Sequence, residues 1–427
     1  MAKPRQKCTY RNLAFLLLTA CGILGSPSAY AVPSYARQMG MPCSGCHTTI
    51  PELNAFGRQF KLTGYTMSTT EQVKTEKDLS IDRLPPFSLM LETGFTHVQK
   101  TQPDTQNNDI QFPQQLSLFY AGRITPQIGA FSQMTYSQPS DKFTLDNTDI
   151  RYSNSKGKMI YGATLNNAPT VEDLWNSTNV WGFPWEGSAT APTPSAAPLI
   201  DRLADDSAGV GGFGMWNSML YGDLTLYRSA HLGHDLPDST SKNTISGVAP
   251  YWRLACQHSF GSDMLMVGTY GIYASVIPEG VAGLKDQFTD VAVDAQYEHP
   301  MGANAITVHA SYLRERLKLD GSDPDSGTTN AGFAKVDATF HLQNVAAFSA
   351  GYQAITGGAN TYWGTDNGKP NSSAFIVEGA YLPWQNTKFV AQFVGYTKFD
   401  GARSDYDGAG RGASDNNTFY LLAWFLL

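Results

Sequence analysis

From Phe87 onward, hydrophobic and polar residues take turns along the chain. In the run Ala334-Lys335-Val336-Asp337-Ala338-Thr339-Phe340-His341-Leu342 every second residue is apolar, and Lys335, Asp337, Thr339 and His341 fill the places between. Ile306, Val308, Ala310 and Tyr312 alternate in the same way with Thr307, His309 and Ser311. A period of two places the two sets on opposite faces of a strand. Read this way, the stretch predicts about sixteen strands of roughly ten residues each. They begin near Phe87, Leu116, Ile128, Phe143, Met159, Val210, Leu224, Ala249, Met264, Phe288, Ala305, Phe333, Val345, Phe375, Phe389 and Thr418.

The connections differ by side. Short turns such as Thr125-Pro126-Gln127, Phe260-Gly261-Ser262-Asp263 and Gln343-Asn344 are expected after even-numbered strands. Long loops, such as 99–114, 166–209, 319–330, 356–371 and 400–415, are expected after odd-numbered ones. This is the pattern of an outer-membrane barrel, and an even strand number puts both termini on the short-turn, periplasmic side, with the long loops extracellular. A soluble β-sandwich or propeller also alternates. The loop asymmetry and the apolar final run Thr418–Leu427 favour an all-β, about 16-stranded outer-membrane β-barrel.

Composition agrees. Charged residues make up only 16% of the 427, with 21 Tyr, 22 Phe and 40 Gly. Soluble domains carry about a quarter charged residues, so low charge suits a sheet with one face in lipid. A net charge of -7 offers no basic face for nucleic acid.

Residues 1–31 read as a cleaved signal peptide. Lys3, Arg5, Lys7 and Arg11 precede an apolar run from Leu13 to Leu24, and Ala29-Tyr30-Ala31 is a small-residue cleavage site. Leu18-Thr19-Ala20-Cys21 also resembles a lipobox, the alternative processing route. Beyond this segment no 18-residue apolar run follows, which excludes a helical membrane protein. Signal cleavage leaves Cys43, Cys46 and Cys256, the last expected as a small buried thiol.

Cys43-Ser44-Gly45-Cys46-His47 is a C-x-x-C-H motif, the signature of covalent haem c attachment. Two thiols at this spacing reach the two haem vinyl groups, and His47 ligates the iron. A redox dithiol would call for a βαβ pattern, and a zinc site for a second Cys pair; neither follows. Met67 is the candidate sixth ligand, with Met39, Met41, His97, His309, His341 or an open position as alternatives. Residues 32–82 form a haem c segment too small to make its own core, and 83–427 form the transmembrane barrel. Placing the segment in the barrel lumen would cover the cofactor.

Residues Ala36–Tyr65 around the motif, with Pro51-Glu52-Leu53-Asn54-Ala55-Phe56-Gly57, resemble the fused monohaem cytochrome–porins, outer-membrane proteins best known as iron(II) oxidases. Pro169–Thr178, Trp181-Gly182-Phe183-Pro184 and Pro250–Ala255 resemble the same family further along. The resemblance implies one haem c on Cys43, Cys46 and His47, with Arg37, Arg58 and Lys61 as partners for the haem propionates. It also implies an electron-transfer protein rather than a conventional enzyme. Extracellular Fe(II) or another reduced donor would supply electrons, and a periplasmic cytochrome would accept them. Two alternatives stand beside this: a conduit for a non-iron donor, and a solute porin with a structural haem. Trp175, Trp181, Phe183 and Trp185 are expected to fold their loop over the lumen or to form a small loop core.

Overall fold

The computed structural model describes residues 32–67, 73–75, 79–81, 86–103, 105–137, 141–203, 207–230, 244–278, 283–384 and 386–427. The signal-peptide reading of 1–31 lies outside them. Sixteen strands form the wall. They are β1 Phe87–Val98, β2 Asp109–Arg123, β3 Ile128–Ser137, β4 Lys142–Lys156, β5 Met159–Asn166, β6 Ser207–Trp216, β7 Leu220–Ser229 and β8 Ala249–Phe260, then β9 Asp263–Ile277, β10 Asp286–Met301, β11 Asn304–Lys318, β12 Thr328–Leu342, β13 Ala346–Gly357, β14 Ser372–Trp384, β15 Thr387–Lys398 and β16 Thr418–Leu426. Each pairs antiparallel with the next, and a two-residue piece, Thr244–Ile245, lies beside β9. β16 pairs back onto β1, from Thr418 opposite Val98 to Leu426 opposite Met90, so the sheet closes. Closure removes every edge.

The register explains the alternation. On β10, Asp290, Ala292, Asp294 and Gln296 face inward and are buried, while Val291 and Val293 face outward and are exposed. β11 and β12 repeat this, with Thr307, His309, Ser311, Asp337, Thr339 and His341 inside. The outer face carries Leu254, Phe348, Val377 and Phe375, each at least 45% exposed. The wall is therefore apolar outside and polar inside, as expected where the outer face meets lipid.

Tight turns after even-numbered strands need left-handed backbone. Gly157, Gly261 and Gly302 supply it, as do the pairs Asn217-Ser218 and Gln343-Asn344, all at positive φ. One expected long loop is short: β3 and β4 are joined by 138–141 alone.

The lumen is filled from within. Helix α1 (Pro33–Met39) and helix α2 (Ala55–Leu62) lie inside the barrel with the segment between them. Tyr65 Oη donates to Asp149 on β4 at 2.8 Å, and Tyr35 Oη donates to the Ala130 carbonyl on β3 at 2.6 Å. Gly129 on β3 has no room for a side chain, because a Cβ there would stand 2.2 Å from the Gly64 carbonyl oxygen. Residues 167–203, following β5, also fold inward. Their Leu174 and Trp175 pack with Leu62 of α2 and with Phe213, Met215 and Tyr221 of the wall.

Inward charges staple these parts together. Arg151 pairs with Asp149 at 2.9 Å and with Glu172 of the loop at 3.0 Å. Arg253 pairs with Asp294 at 2.8 Å and with Asp173 of the loop at 3.3 Å. Lys388 on β15 bonds Glu186 of the loop at 2.7 Å and the Ile50 carbonyl at 2.8 Å. A buried ion survives only when paired and hydrogen-bonded, so each pair dictates where its loop or helix docks.

Candidate functional site

Pro42 ends an extended approach, and Cys43–Gly45 form one tight turn closed by the His47 N–H on the Cys43 carbonyl at 3.0 Å. Asn54 then holds this turn against α2. Its side chain caps the helix by accepting from Gly57 N at 2.9 Å, and its amide donates to the Ser44 and Gly45 carbonyls at 3.1 Å each. The helix approaches so closely that a Cβ on Gly57 would lie 2.2 Å from the Cys46 carbonyl oxygen. The C-x-x-C-H turn and the start of α2 are thus one rigid unit.

His47 is oriented by its own chain. Its Nδ1 lies 3.1 Å from the Pro51 carbonyl oxygen. A carbonyl only accepts, so the proton sits on Nδ1 and Nε2 keeps a bare lone pair. Burial also holds this imidazole below its ordinary pKa, which keeps it neutral. A neutral ring with one nitrogen tied to a carbonyl is the state a metal-ligating histidine needs.

Cys46 and His47 line a cavity of about 340 Å³. Its walls are largely apolar, from Val32, Tyr35, Ala36 and Met39 of the N-terminal segment, Met90, Phe119, Phe131, Trp424 and Leu426 of the barrel, and Trp181 and Trp185 of the inward loop. Cys43 is buried in the wall, in one apolar cluster with Met90, Phe119 and Trp424. Burial pushes the Cys43 thiol up to about 12 and the Cys46 thiol up to about 11. A redox dithiol needs a lowered pKa, so the environment disfavours that reading. The apolar lining, the Cys46 thiol and the tautomer of His47 fit a haem c, while Cys43 faces a neighbouring space on the other side of the turn.

The other sequence candidates separate. Lys61 lines the cavity and donates to the Asp173 carbonyl at 2.8 Å. Arg58 does not: it forms a two-point ion pair with Glu298 on β10, one contact at 3.0 Å, and donates to the Leu53 carbonyl at 2.9 Å. Arg37 donates to the Phe87 carbonyl at 2.6 Å, away from the cavity. Met67 is 39% exposed and is not among the lining residues, whereas Met39, Met41 and Met90 are. His97 bonds Asn108 at 2.9 Å on β1, far along the strand. Cys256 is not buried but exposed on β8, because its register places it on the outward face with Leu254.

Sequence reasoning missed the residues that position the unit, namely Asn54, Gly57, Glu298, Glu172 and Asp173. Glu172, Asp173 and Arg253 stood in the segments that carried the family resemblance, and Asp173 and Arg253 prove to be ion-pair partners. Their charge within otherwise apolar or aromatic runs was the available signal.

The fold and the segment packed inside it define a sixteen-stranded porin-like barrel. No protein-family model matches the chain, and no curated protein matches it in sequence. Solved structures do. It is similar to Salmonella typhi OmpF in its complex with daunomycin, at 12% identity over 80% of this chain and 97% of that one, with a TM-score of 0.51. An anion-selective porin from Comamonas acidovorans aligns at 10% identity over 80% and 98% of the two chains, with a TM-score of 0.49. The first likeness supports the fold.

Proposed function

We propose that the chain is an outer-membrane c-type cytochrome–porin that moves electrons between an extracellular reductant, Fe(II), and a soluble periplasmic cytochrome. In this reading residues 1–31 are removed on export, 32–82 carry one haem c, and the long loops face outward. The observation that supports it most directly is the C-x-x-C-H turn at the wall of an apolar cavity of about 340 Å³, with His47 Nε2 left bare by its Nδ1 bond to Pro51. When bound, haem would supply one-electron chemistry that protein side chains lack.

The chain's own residues do the rest. Cys43 and Cys46 would anchor the group and His47 would ligate it. Lys61 is the cavity cation available to a propionate. Phe119, Phe131, Trp424 and Leu426 exclude water. On one side, Cys43, Ser44 and His47 line a second space with the turn residues Gln343, Asn344 and Val345 and with Pro383 and Trp384. That places the motif near the short-turn mouth, where a periplasmic partner would dock. On the other side, Trp181 and Trp185 bring the long inward loop to the cavity.

The test begins with protein isolated from the envelope of a host that attaches haem c. Denaturing gels should retain haem stain, and Cys43→Ala with Cys46→Ala should abolish it. Anaerobic Fe(II) should then reduce the Soret-absorbing species rapidly. Absence of covalent haem sinks the reading. Haem that is reduced by another donor and not by Fe(II) sinks the donor assignment.

A further inference from the structure

Glu52 is fully buried, and neither of its carboxylate oxygens has a hydrogen-bond partner. A buried carboxylate without donors is strongly unfavourable unless a cation balances it. The side chains around it offer lone pairs. His309 on β11 is fully buried, and its Nδ1 lies 3.0 Å from Asp337 Oδ2 on β12. The carboxylate accepts, so the proton is on Nδ1. Nε2 has no hydrogen-bond partner and lies 3.9 Å from Glu52 Oε1. His341 Nε2 stands 3.5 Å from Glu52 Oε2 and 3.0 Å from the Thr307 hydroxyl. Gln296, opposite His309 in the sheet, has its Oε1 without a partner as well.

Nearby basic groups are committed elsewhere. Arg58 is held by Glu298, and Lys335 donates to the Thr178 carbonyl at 2.8 Å. Two unpartnered carboxylate oxygens and an unpartnered imidazole nitrogen thus face one another.

We propose that Glu52, His309 and His341 bind one divalent transition-metal cation inside the barrel, with Asp337 orienting His309. Two imidazoles and one carboxylate with open positions are a donor set that suits Fe(II) and similar ions. A carboxylate behind the ligating histidine is the usual second layer of such a site. Among the described residues no three such side chains already surround a metal position. The cation would draw the Glu52 carboxylate and the two rings together and displace the Thr307 bond. Glu52 follows Pro51, whose carbonyl holds His47, so the cation would sit one residue from that hydrogen bond. As the place where Fe(II) is held for electron transfer, the assignment rests on the proposed function; as a divalent-cation site it does not.

Anaerobic titration of the purified full-length protein with Co(II) tests this. Saturable d–d absorption at about one ion per chain is expected. Glu52→Gln and His309→Asn should each weaken binding at least about tenfold, and Asp337→Asn by about 10–100-fold. His97→Asn, away from the cluster, should leave it unchanged. Circular dichroism checks that the variants fold. If Glu52→Gln does not, Glu52→Asp should shift the Co(II) spectrum. No saturable binding, or wild-type affinity and spectrum in the Glu52 and His309 variants, overturns the site. The Soret band of the same sample separates the two readings. Co(II) binding without haem leaves this site standing and removes the proposed function, and haem without Co(II) binding does the reverse.

Discussion

Gly57→Ala isolates the contact that joins α2 to the C-x-x-C-H turn. On propensity alone alanine should stabilise a helix by up to about 1 kcal/mol. Here the added Cβ would stand 2.2 Å from the Cys46 carbonyl oxygen and 3.0 Å from Leu53 Cδ2. Ordinary contact needs roughly 3.5 Å, so the helix or the turn must move by about an ångström. The first clash is with backbone, which cannot rotate aside. Overpacking of this kind costs about 1–3 kcal/mol, so the net expectation is a loss of up to about 2 kcal/mol, confined to the segment. Such a loss multiplies the local open population by up to about thirtyfold. Hydrogen exchange by mass spectrometry reads it directly. Peptides covering 43–62 should exchange faster in the variant, while barrel peptides such as 286–301 stay unchanged. Unchanged or slower exchange in 43–62 would refute the claim that the turn and α2 form one close-packed unit.

Other outcomes follow from the same geometry. Asn54→Ala removes the cap and both bonds to the turn. It should cost about 1–2 kcal/mol, read as faster exchange of α2 amides. Arg58→Met leaves Glu298 without its cation inside the lumen, a loss of about 3–5 kcal/mol in urea unfolding, and adding Glu298→Met should recover most of it. Lys61 carries a pH signature, because burial brings its amine down to about 8. Below pH 8 it is protonated both folded and unfolded, and the burial penalty is fully present. Between pH 8 and its ordinary value near 10.5 the folded state binds fewer protons, so segment docking should strengthen as pH rises. Lys61→Met should flatten that rise in exchange measured across the window.

The sequence by itself determined the wall. A period of two is local, and each predicted strand start falls within a strand or one residue before it, Val345 ahead of β13 being the exception that leads by one. The Cys43-Ser44-Gly45-Cys46-His47 turn was equally local, since its spacing lies in five consecutive residues. The outward side of Cys256 was not, because parity along β8 is set by its register with β7 and β9. Nor were the partners of the inward charges. Arg58 and Glu298 lie 240 residues apart, and Thr49 and His341 lie 292 apart. Alternation says that a residue faces the lumen, but not what else the lumen holds. Only closing the barrel around its own N-terminal segment decides which cation meets which carboxylate, which is why Arg58 is spent on the wall, Met67 stands outside the cavity, and Glu52 faces two histidines.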